Sequence, residues 1–127
     1  MSHETLLAIS SVDGRYHASV EDLAAHLSEY ALIKNRVHVE CEYLIALSES
    51  GEVGVREFTA AEKKELRDIA LNFSAADAEV VQKIEREGHA GIPATNHDVK
   101  AVEYFLKQAL EQTSLADVRE WIHFELT

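Results

Sequence analysis

Apolar residues recur at steps of three and four along most of this sequence, and polar segments with glycine separate the resulting runs. Such spacing places the apolar side chains on one face of a helix. It predicts a long helical region over residues 19–48, with a break or kink near Ser28 and an end at Gly51 and Gly54. Residues 1–18 carry no sustained periodicity, so they are predicted to form an extended, looped arm.

Five pairs of residues have the spacing of a capping box, in which a hydroxyl and a carboxylate bond the first free amides of a helix. These pairs are Ser19 with Asp22, Thr59 with Glu62, Ser74 with Asp77, Thr95 with Asp98, and Ser114 with Asp117. Each predicts a helix start, and the sequence has no long alternating strand pattern. We therefore predict an all-α fold, an irregular helical domain of about five or six helices preceded by an extended N-terminal arm.

The apolar positions also predict which faces of the later helices are buried. The predicted core positions are Leu66, Ile69, Ala70 and Phe73; Ala78, Val81 and Ile84; Val99, Val102, Leu106 and Ala109; and Leu115, Val118 and Ile122. Cys41 lies on the apolar stripe of the first long helix, which favours a small core residue over a nucleophile. Glu40 is interpreted as part of a solvated helix face, and His123 as a structural residue.

Composition limits the classes of partner. The 127 residues are 46% hydrophobic, which is enough for the core of one domain. A formal charge of −11 argues against nucleic acid and against an anionic membrane surface. The net charge does not exclude an anionic substrate, because a few basic groups in one cleft act at shorter range than a distant acidic surface. The single Cys41 and the lack of an apolar run near ~20 residues favour a soluble protein of a reducing compartment.

The most informative polar segment lies around the predicted helix start at Thr95. Asn96, His97 and Asp98 follow it, and they fall in the first turn of the predicted helix. Unpaired N–H groups and the positive end of the helix dipole favour anions at this position. A well-capped helix whose histidine is merely solvated explains the same residues, so spacing alone leaves both interpretations open.

A second candidate pair follows the turn signal Asp13-Gly14. Arg15 and Tyr16 offer a guanidinium and a phenol side by side, which suits a phosphate or carboxylate through bidentate pairing and one O–H donor. The ordinary alternative is an exposed charge beside a half-buried ring. Physical reasoning from the sequence does not decide between them.

Three stretches resemble a known enzyme family. They are T-N-H-D-V-K-A-V-E-Y-F-L at residues 95–106, S-S-V-D-G-R-Y at residues 10–16 and I-H-F-E-L-T at residues 122–127. Together they resemble the N-terminal segment of the adenylosuccinate lyase family, within the fumarase/aspartase superfamily. The resemblance implies that residues 1–127 form the N-terminal domain, with a central helical-bundle domain and a C-terminal domain absent from this fragment. It also implies a cytoplasmic homotetramer for the full-length parent, and a monomer or weak dimer for the fragment.

The resemblance further implies an activity and its residues. The family eliminates fumarate from adenylosuccinate, giving AMP, and from the succinyl-carboxamide ribotide, without a metal or an organic cofactor. By matching motif, Arg15 and Tyr16 would hold the nucleotide substrate near its phosphate. The substrate-binding residues would also include Asn96, His97, Asp98 and Thr127. His97 would assist the proton steps, while the principal acid and base lie outside this chain, so the fragment alone is predicted to be inactive.

Two other functions fit the sequence. One is a different lyase of the same superfamily, such as argininosuccinate lyase, aspartase or fumarase. The other is a stand-alone, non-catalytic helical module that acts only through protein partners.

Overall fold

The computed structural model describes residues 3–127, and these residues confirm the all-α prediction. Within that range the only pairing of strand type is an isolated antiparallel bridge between His89 and Ile92. The chain divides into two compact units, one up to Leu32 and the other Ile33–Thr127. None of the described helices is long and apolar enough to cross a membrane.

The first unit consists of short helices and turns. Helix α1 spans His3–Leu6, α2 spans His17–Val20, a 3-10 helix spans Glu21–Leu23, and α3 spans Ala24–Leu27. Ser19 is thus inside α2, and no side chain caps the 3-10 helix, so the predicted Ser19–Asp22 capping box is wrong.

The extended arm predicted for residues 1–18 is not found in residues 3–18, while residues 1 and 2 lie outside the described range. Turns connect α1 to α2 instead. The Asp13 amide donates to Ser10 Oγ at 3.2 Å, and the Gly14 amide donates to the Ser10 carbonyl at 3.0 Å. A Cβ on Gly14 would lie 2.5 Å from the Thr5 carbonyl oxygen, so this tight path needs glycine.

Ser28 separates α3 from the longest helix, α4, which spans Glu29–Ser50. Its backbone is extended (φ −78°, ψ 166°), and its hydroxyl accepts the Ala31 amide at 3.1 Å. The predicted break near Ser28 is therefore confirmed, because the serine ends one helix and caps the next. Gly51, at φ +67°, follows the end of α4, as a left-handed glycine commonly does.

The second unit contains three further α-helices: α5 (Ala60–Leu71), α6 (Ala75–Arg86) and α7 (Asp98–Leu110). A 3-10 helix spans Ala116–Trp121. The capping boxes of α5 and α6 are confirmed: Thr59 Oγ1 accepts the Glu62 amide at 3.1 Å, and Ser74 Oγ accepts the Asp77 amide at 3.2 Å.

The predicted box of Ser114 and Asp117 is wrong, because both side chains have other partners. The Ser114 hydroxyl donates to Glu62 Oε2 at 2.9 Å, and the Asp117 carboxylate accepts from Arg56 Nε at 2.9 Å. Arg56 Nη2 also donates to the Ser114 carbonyl at 3.0 Å. The segment that follows is the 3-10 helix, which has no side-chain cap.

The core of the second unit follows the predicted apolar faces in part, since the predicted core residues Ile69 and Val99 are only half-buried. Its buried apolar side chains are Ile33, Val37, Cys41, Leu44, Ile45, Val55, Phe58, Leu66, Ala70, Phe73, Ala78, Val81, Ile84, Ala101, Val102, Leu106, Leu110, Leu115, Val118 and Ile122. On α7 the predicted core residue Ala109 is exposed, and Ala101 and Leu110 are buried instead. Burial raises the pKa of Cys41 to about 12, which agrees with its predicted place in the core.

Candidate functional site

The start of α7 is built by a histidine. His97 is the N-cap residue, and its Nδ1 accepts the backbone N–H of Lys100 at 3.2 Å. A nitrogen that accepts a hydrogen bond carries no proton, so the neutral ring holds its proton on Nε2. The side chain is 65% exposed. His97 therefore caps the helix through one nitrogen and presents an N–H donor through the other.

The predicted Thr95–Asp98 capping box is wrong, and Asn96 explains why. Asn96 has a left-handed backbone (φ +53°), which asparagine tolerates better than most residues. The turn moves the helix start from Thr95 to His97. The Thr95 hydroxyl donates to the His97 carbonyl at 2.8 Å instead of capping the helix. The segment still brings Asn96 and His97 to the N-terminal end of α7, where the positive end of the helix dipole favours anions.

Asp98 links α7 to α4. Its Oδ2 accepts from Arg36 Nη1 at 2.8 Å, and its Oδ1 accepts the Val99 amide at 2.8 Å. The Arg36 hydrogen bond and, to a lesser extent, the Val99 amide hold the pKa of Asp98 below its ordinary value, against partial burial. Asp98 is therefore an ionised, well-partnered carboxylate.

A groove of about 390 Å³ lies beside this helix start. Its lining side chains are His97, Val99, Lys100, Glu103, His123 and Thr127. This volume falls within the range of small-molecule sites. The groove brings together two predicted site residues, His97 and Thr127, that are far apart in sequence. Asn96 and Asp98 are not among its lining side chains.

His123 connects the groove to the buried side of α4. Its Nδ1 lies 2.5 Å from Glu40 Oε1, and its Nε2 lies 2.9 Å from Thr127 Oγ1. Glu40 is only 4% exposed, so its predicted place on a solvated helix face is wrong. Sequence reasoning also assigned His123 a structural role only, and did not place it in the groove.

A buried carboxylate that is paired with two lysines also lines the groove. Glu103 is buried, and both Lys100 Nζ and Lys107 Nζ lie 3.1 Å from its Oε2. Burial alone would raise the pKa of Glu103, but hydrogen bonds from the two lysines outweigh it and hold that pKa below its ordinary value. The groove is therefore lined by an ionised carboxylate with two lysines around it.

Arg15 and Tyr16 belong to the first unit. Both side chains are exposed, and the Arg15 guanidinium carbon lies 5.2 Å from the centre of the Tyr16 ring. This cation–π geometry keeps a positive charge and a phenol on one turn, after Asp13-Gly14. An exposed arginine on a fixed turn can bind a phosphate or carboxylate group.

A larger concavity of about 520 Å³ lies along α5. Its lining side chains are Ala61, Lys64, Glu65, Asp68, Ile69 and Asn72. They lie on one helix, and Lys64 and Asp68 form an ordinary exposed ion pair at 2.6 Å. The groove at α7 is the better candidate because it gathers side chains from two distant parts of the sequence, residues 97–103 and 123–127. Among residues 3–127, no group of three or more histidine, cysteine, aspartate or glutamate side chains is placed to hold a metal ion.

The fold and the groove define an all-helical domain with a polar site beside a helix start. No family model matches the chain. Adenylosuccinate lyase of Dictyostelium discoideum is 46% identical over 128 residues, which cover 96% of this chain and 26% of that protein. The Haemophilus influenzae and Escherichia coli adenylosuccinate lyases are 42% and 43% identical over 129 residues, covering 100% of this chain and 27% of each protein.

These similarities confirm the resemblance predicted from the sequence. The chain is related to the N-terminal part of adenylosuccinate lyase. It spans about a quarter of the length of the curated relatives that it matches.

Proposed function

We propose that residues 1–127 form the N-terminal domain of an enzyme that eliminates fumarate from adenylosuccinate, giving AMP, and from the succinyl-carboxamide ribotide of purine biosynthesis. One observation carries the proposal: the similarity to adenylosuccinate lyases extends over essentially the whole chain. The groove supports it, because His97 and Thr127, which match substrate-binding motifs of the family, line the same concavity.

The residue roles proposed for the groove follow from its donors. His97 offers Nε2–H to an anionic or developing negative charge, while its Nδ1 is occupied by the Lys100 amide. Thr127 contributes its hydroxyl oxygen to the lining, 2.9 Å from His123 Nε2. Asp98 is already paired with Arg36, which favours a role in holding the helix start over direct proton transfer. Asn96 completes this substrate-binding stretch.

Arg15 and Tyr16 are proposed to bind the phosphate of the nucleotide. Their exposure and their shared turn support this role, since a guanidinium with a neighbouring phenol supplies several donors to phosphate oxygens. Losing such a contact should weaken substrate binding more than it slows the chemical step.

Catalysis is proposed to need residues beyond this chain. An elimination requires a base at the substrate carbon and an acid at the leaving nitrogen. His97 assists, whereas the principal acid and base lie outside this chain, in the rest of a cytoplasmic homotetramer. The reaction needs neither a metal nor an organic cofactor. The 127-residue chain by itself is therefore proposed to be inactive, and to be a monomer or weak dimer.

A chimera tests the proposal. The segment of the Escherichia coli relative that aligns with this chain, 27% of that protein, is replaced by residues 1–127. Fumarate release from adenylosuccinate is then measured for the chimera, for the relative and for the 127-residue chain alone. We expect turnover by the first two and none by the third. A folded chimera without turnover would contradict the proposal and favour a non-catalytic helical module.

A further inference from the structure

The contact between Glu40 and His123 determines where the imidazole carries its proton. An ionised carboxylate can only accept hydrogen bonds, and Glu40 Oε1 lies 2.5 Å from His123 Nδ1. The proton in this contact therefore belongs to Nδ1, since an ionised carboxylate supplies none. In the neutral ring Nε2 then keeps its lone pair. The Thr127 hydroxyl, 2.9 Å away, donates to it.

Glu40 lies in surroundings where a carboxylate is unfavourable, and its contact with His123 explains why one is found there. The side chain is 4% exposed and lies on the buried face of α4, between the core residues Val37 and Leu44. Its second oxygen, Oε2, is buried without a hydrogen-bond partner. Burying a carboxylate costs free energy unless it is paired. Within residues 3–127, His123 is the one side chain that forms a hydrogen bond with Glu40.

The backbone around His123 is held in an unusual conformation by the same face of α4. His123 has φ +70° and Glu125 has φ +57°, both in the left-handed region that non-glycine residues seldom adopt. Tyr43, three residues after Glu40, donates its hydroxyl to the Phe124 carbonyl at 2.7 Å. Two side chains of α4 therefore anchor consecutive residues of this segment, one through the ring and one through the backbone.

We propose that Glu40 is a positioning residue: it keeps His123 protonated on Nδ1 and so leaves Nε2 to accept the Thr127 hydroxyl, with the Thr127 oxygen remaining as an acceptor in the groove lining. Glu40 acts only through His123, because the groove lining includes His123 and Thr127 but not Glu40. The importance of this arrangement for substrate rests on the proposed function. The protonation pattern itself does not.

The groove then contains two histidines of opposite tautomer. His97 accepts the Lys100 amide at Nδ1, so its neutral ring is protonated on Nε2. His123 is protonated on Nδ1 because Glu40 accepts there. The groove therefore presents a ring N–H donor from His97 and an acceptor oxygen from Thr127, whose proton is donated to His123 Nε2. A ligand that fits has an acceptor group facing His97.

Nitrogen NMR of the histidine rings tests this proposal. Long-range proton–nitrogen correlations of the uniformly ¹⁵N-labelled 127-residue chain distinguish the two neutral tautomers at alkaline pH. His97→Asn and His123→Asn spectra assign the two rings among the seven histidines. We expect Nε2–H for His97 and Nδ1–H for His123. Finding His123 protonated on Nε2 in the unmodified chain would overturn the proposal without any variant of Glu40.

Two variants of α4 separate tautomer control from simple anchoring. Glu40→Leu keeps the size of the side chain and removes the acceptor, and Oε2 has no partner to lose. We expect His123 to lose its preference for Nδ1–H in Glu40→Leu and to keep it in the matched control Tyr43→Phe. An unchanged His123 tautomer in Glu40→Leu would also overturn the proposal. The spectra need no substrate, so an inactive chimera would not contradict the proposed tautomers. Likewise, a different tautomer of His123 would not contradict the proposed function.

Discussion

Arg56 and Glu62 form a bidentate ion pair, with Nη1–Oε1 at 3.0 Å and Nη2–Oε2 at 2.9 Å. Glu62 is buried and also accepts the Thr59 amide at 3.0 Å and the Ser114 hydroxyl at 2.9 Å. The pair joins the start of α5 to the segment before the 3-10 helix. It thereby holds together two parts of the second unit that are more than fifty residues apart.

The Glu62 pair predicts how stability depends on pH. The hydrogen bonds from Arg56 and the Thr59 amide lower the pKa of Glu62 from 4.5 to about 2, against the effect of burial. Because the folded-state pKa is depressed, this contribution is fully present above the unfolded value. It is lost as the pH falls from about 4.5 towards 2.

The control for this effect is Glu62→Gln, which cannot ionise. Chemical denaturation should show the largest gap in unfolding free energy between the unmodified chain and this variant near about pH 7. The gap should shrink as the pH drops through the stated window. A gap that stays constant from neutral to acidic pH would mean that ionisation of Glu62 does not stabilise the fold.

Two serines with the same local sequence pattern should differ in their effect on stability. Ser74→Ala removes a hydroxyl that accepts the Asp77 amide, so it should lower the free energy of unfolding by about 1 kcal/mol. Ser19→Ala removes a hydroxyl that caps no helix and should change it by less than about 0.5 kcal/mol. Equal effects in urea denaturation would contradict the assignment of the cap to Ser74 alone.

The contrast between these serines shows what local sequence can predict. The capping boxes of α5 and α6 follow from spacing because every partner lies within three residues. At Thr95 the same spacing fails, since Asn96 adopts a left-handed conformation and shifts the helix start to His97. At Ser114 it fails because distant partners bind the two groups of the box: Glu62 accepts the Ser114 hydroxyl, and Arg56 donates to the Asp117 carboxylate.

Sequence spacing also failed to predict the contacts that residues of the site make with distant parts of the chain. The T-N-H-D motif identified His97, but nothing in the spacing indicated that its ring would cap α7 through Nδ1. Glu40 carried a usable signal, because it lies three residues after Val37 and four before Leu44, on a buried stripe. Its partner His123 is 83 residues away. Only the packing of α4 against that segment reveals the pair.

Replacement of Arg15 should weaken substrate binding. In the chimera, Arg15→Ala removes a positive charge proposed to meet the substrate phosphate, and a charge-assisted hydrogen bond contributes roughly ten- to a hundredfold in affinity. We expect KM to rise by that factor with a smaller change in kcat. Arg15→Lys keeps the charge and should recover part of the loss. Unchanged KM in both variants would remove Arg15 from the substrate site.

The 127-residue chain should not form the tetramer proposed for the longer enzyme. Its α4 exposes apolar side chains such as Leu32 and Val39, with 44% and 52% of their surface accessible. Isolated exposed residues of this kind support weak association at most. Light scattering should therefore give the mass of a 14.2 kDa monomer or of a modest dimer. A stable tetramer of this chain would contradict the expectation.

The direct test of the groove as a substrate site uses two substitutions of His97 in the chimera. His97→Ala removes both the cap on α7 and the Nε2–H donor, whereas His97→Asn keeps an oxygen that can accept the Lys100 amide. Asparagine should therefore restore the thermal stability that alanine loses. Its remaining amide N–H group lies closer to the backbone than the imidazole Nε2–H, so it should not replace that donor in the groove.

The decisive measurement is the steady-state rate of fumarate release by the chimera carrying His97→Asn, made with its melting temperature. We predict a stability close to that of the unmodified chimera and a kcat lower by roughly ten- to a hundredfold, as expected for losing one hydrogen bond to a charged group. A His97→Asn chimera with unchanged kinetics would show that His97 only caps α7, and would contradict a substrate site in this groove.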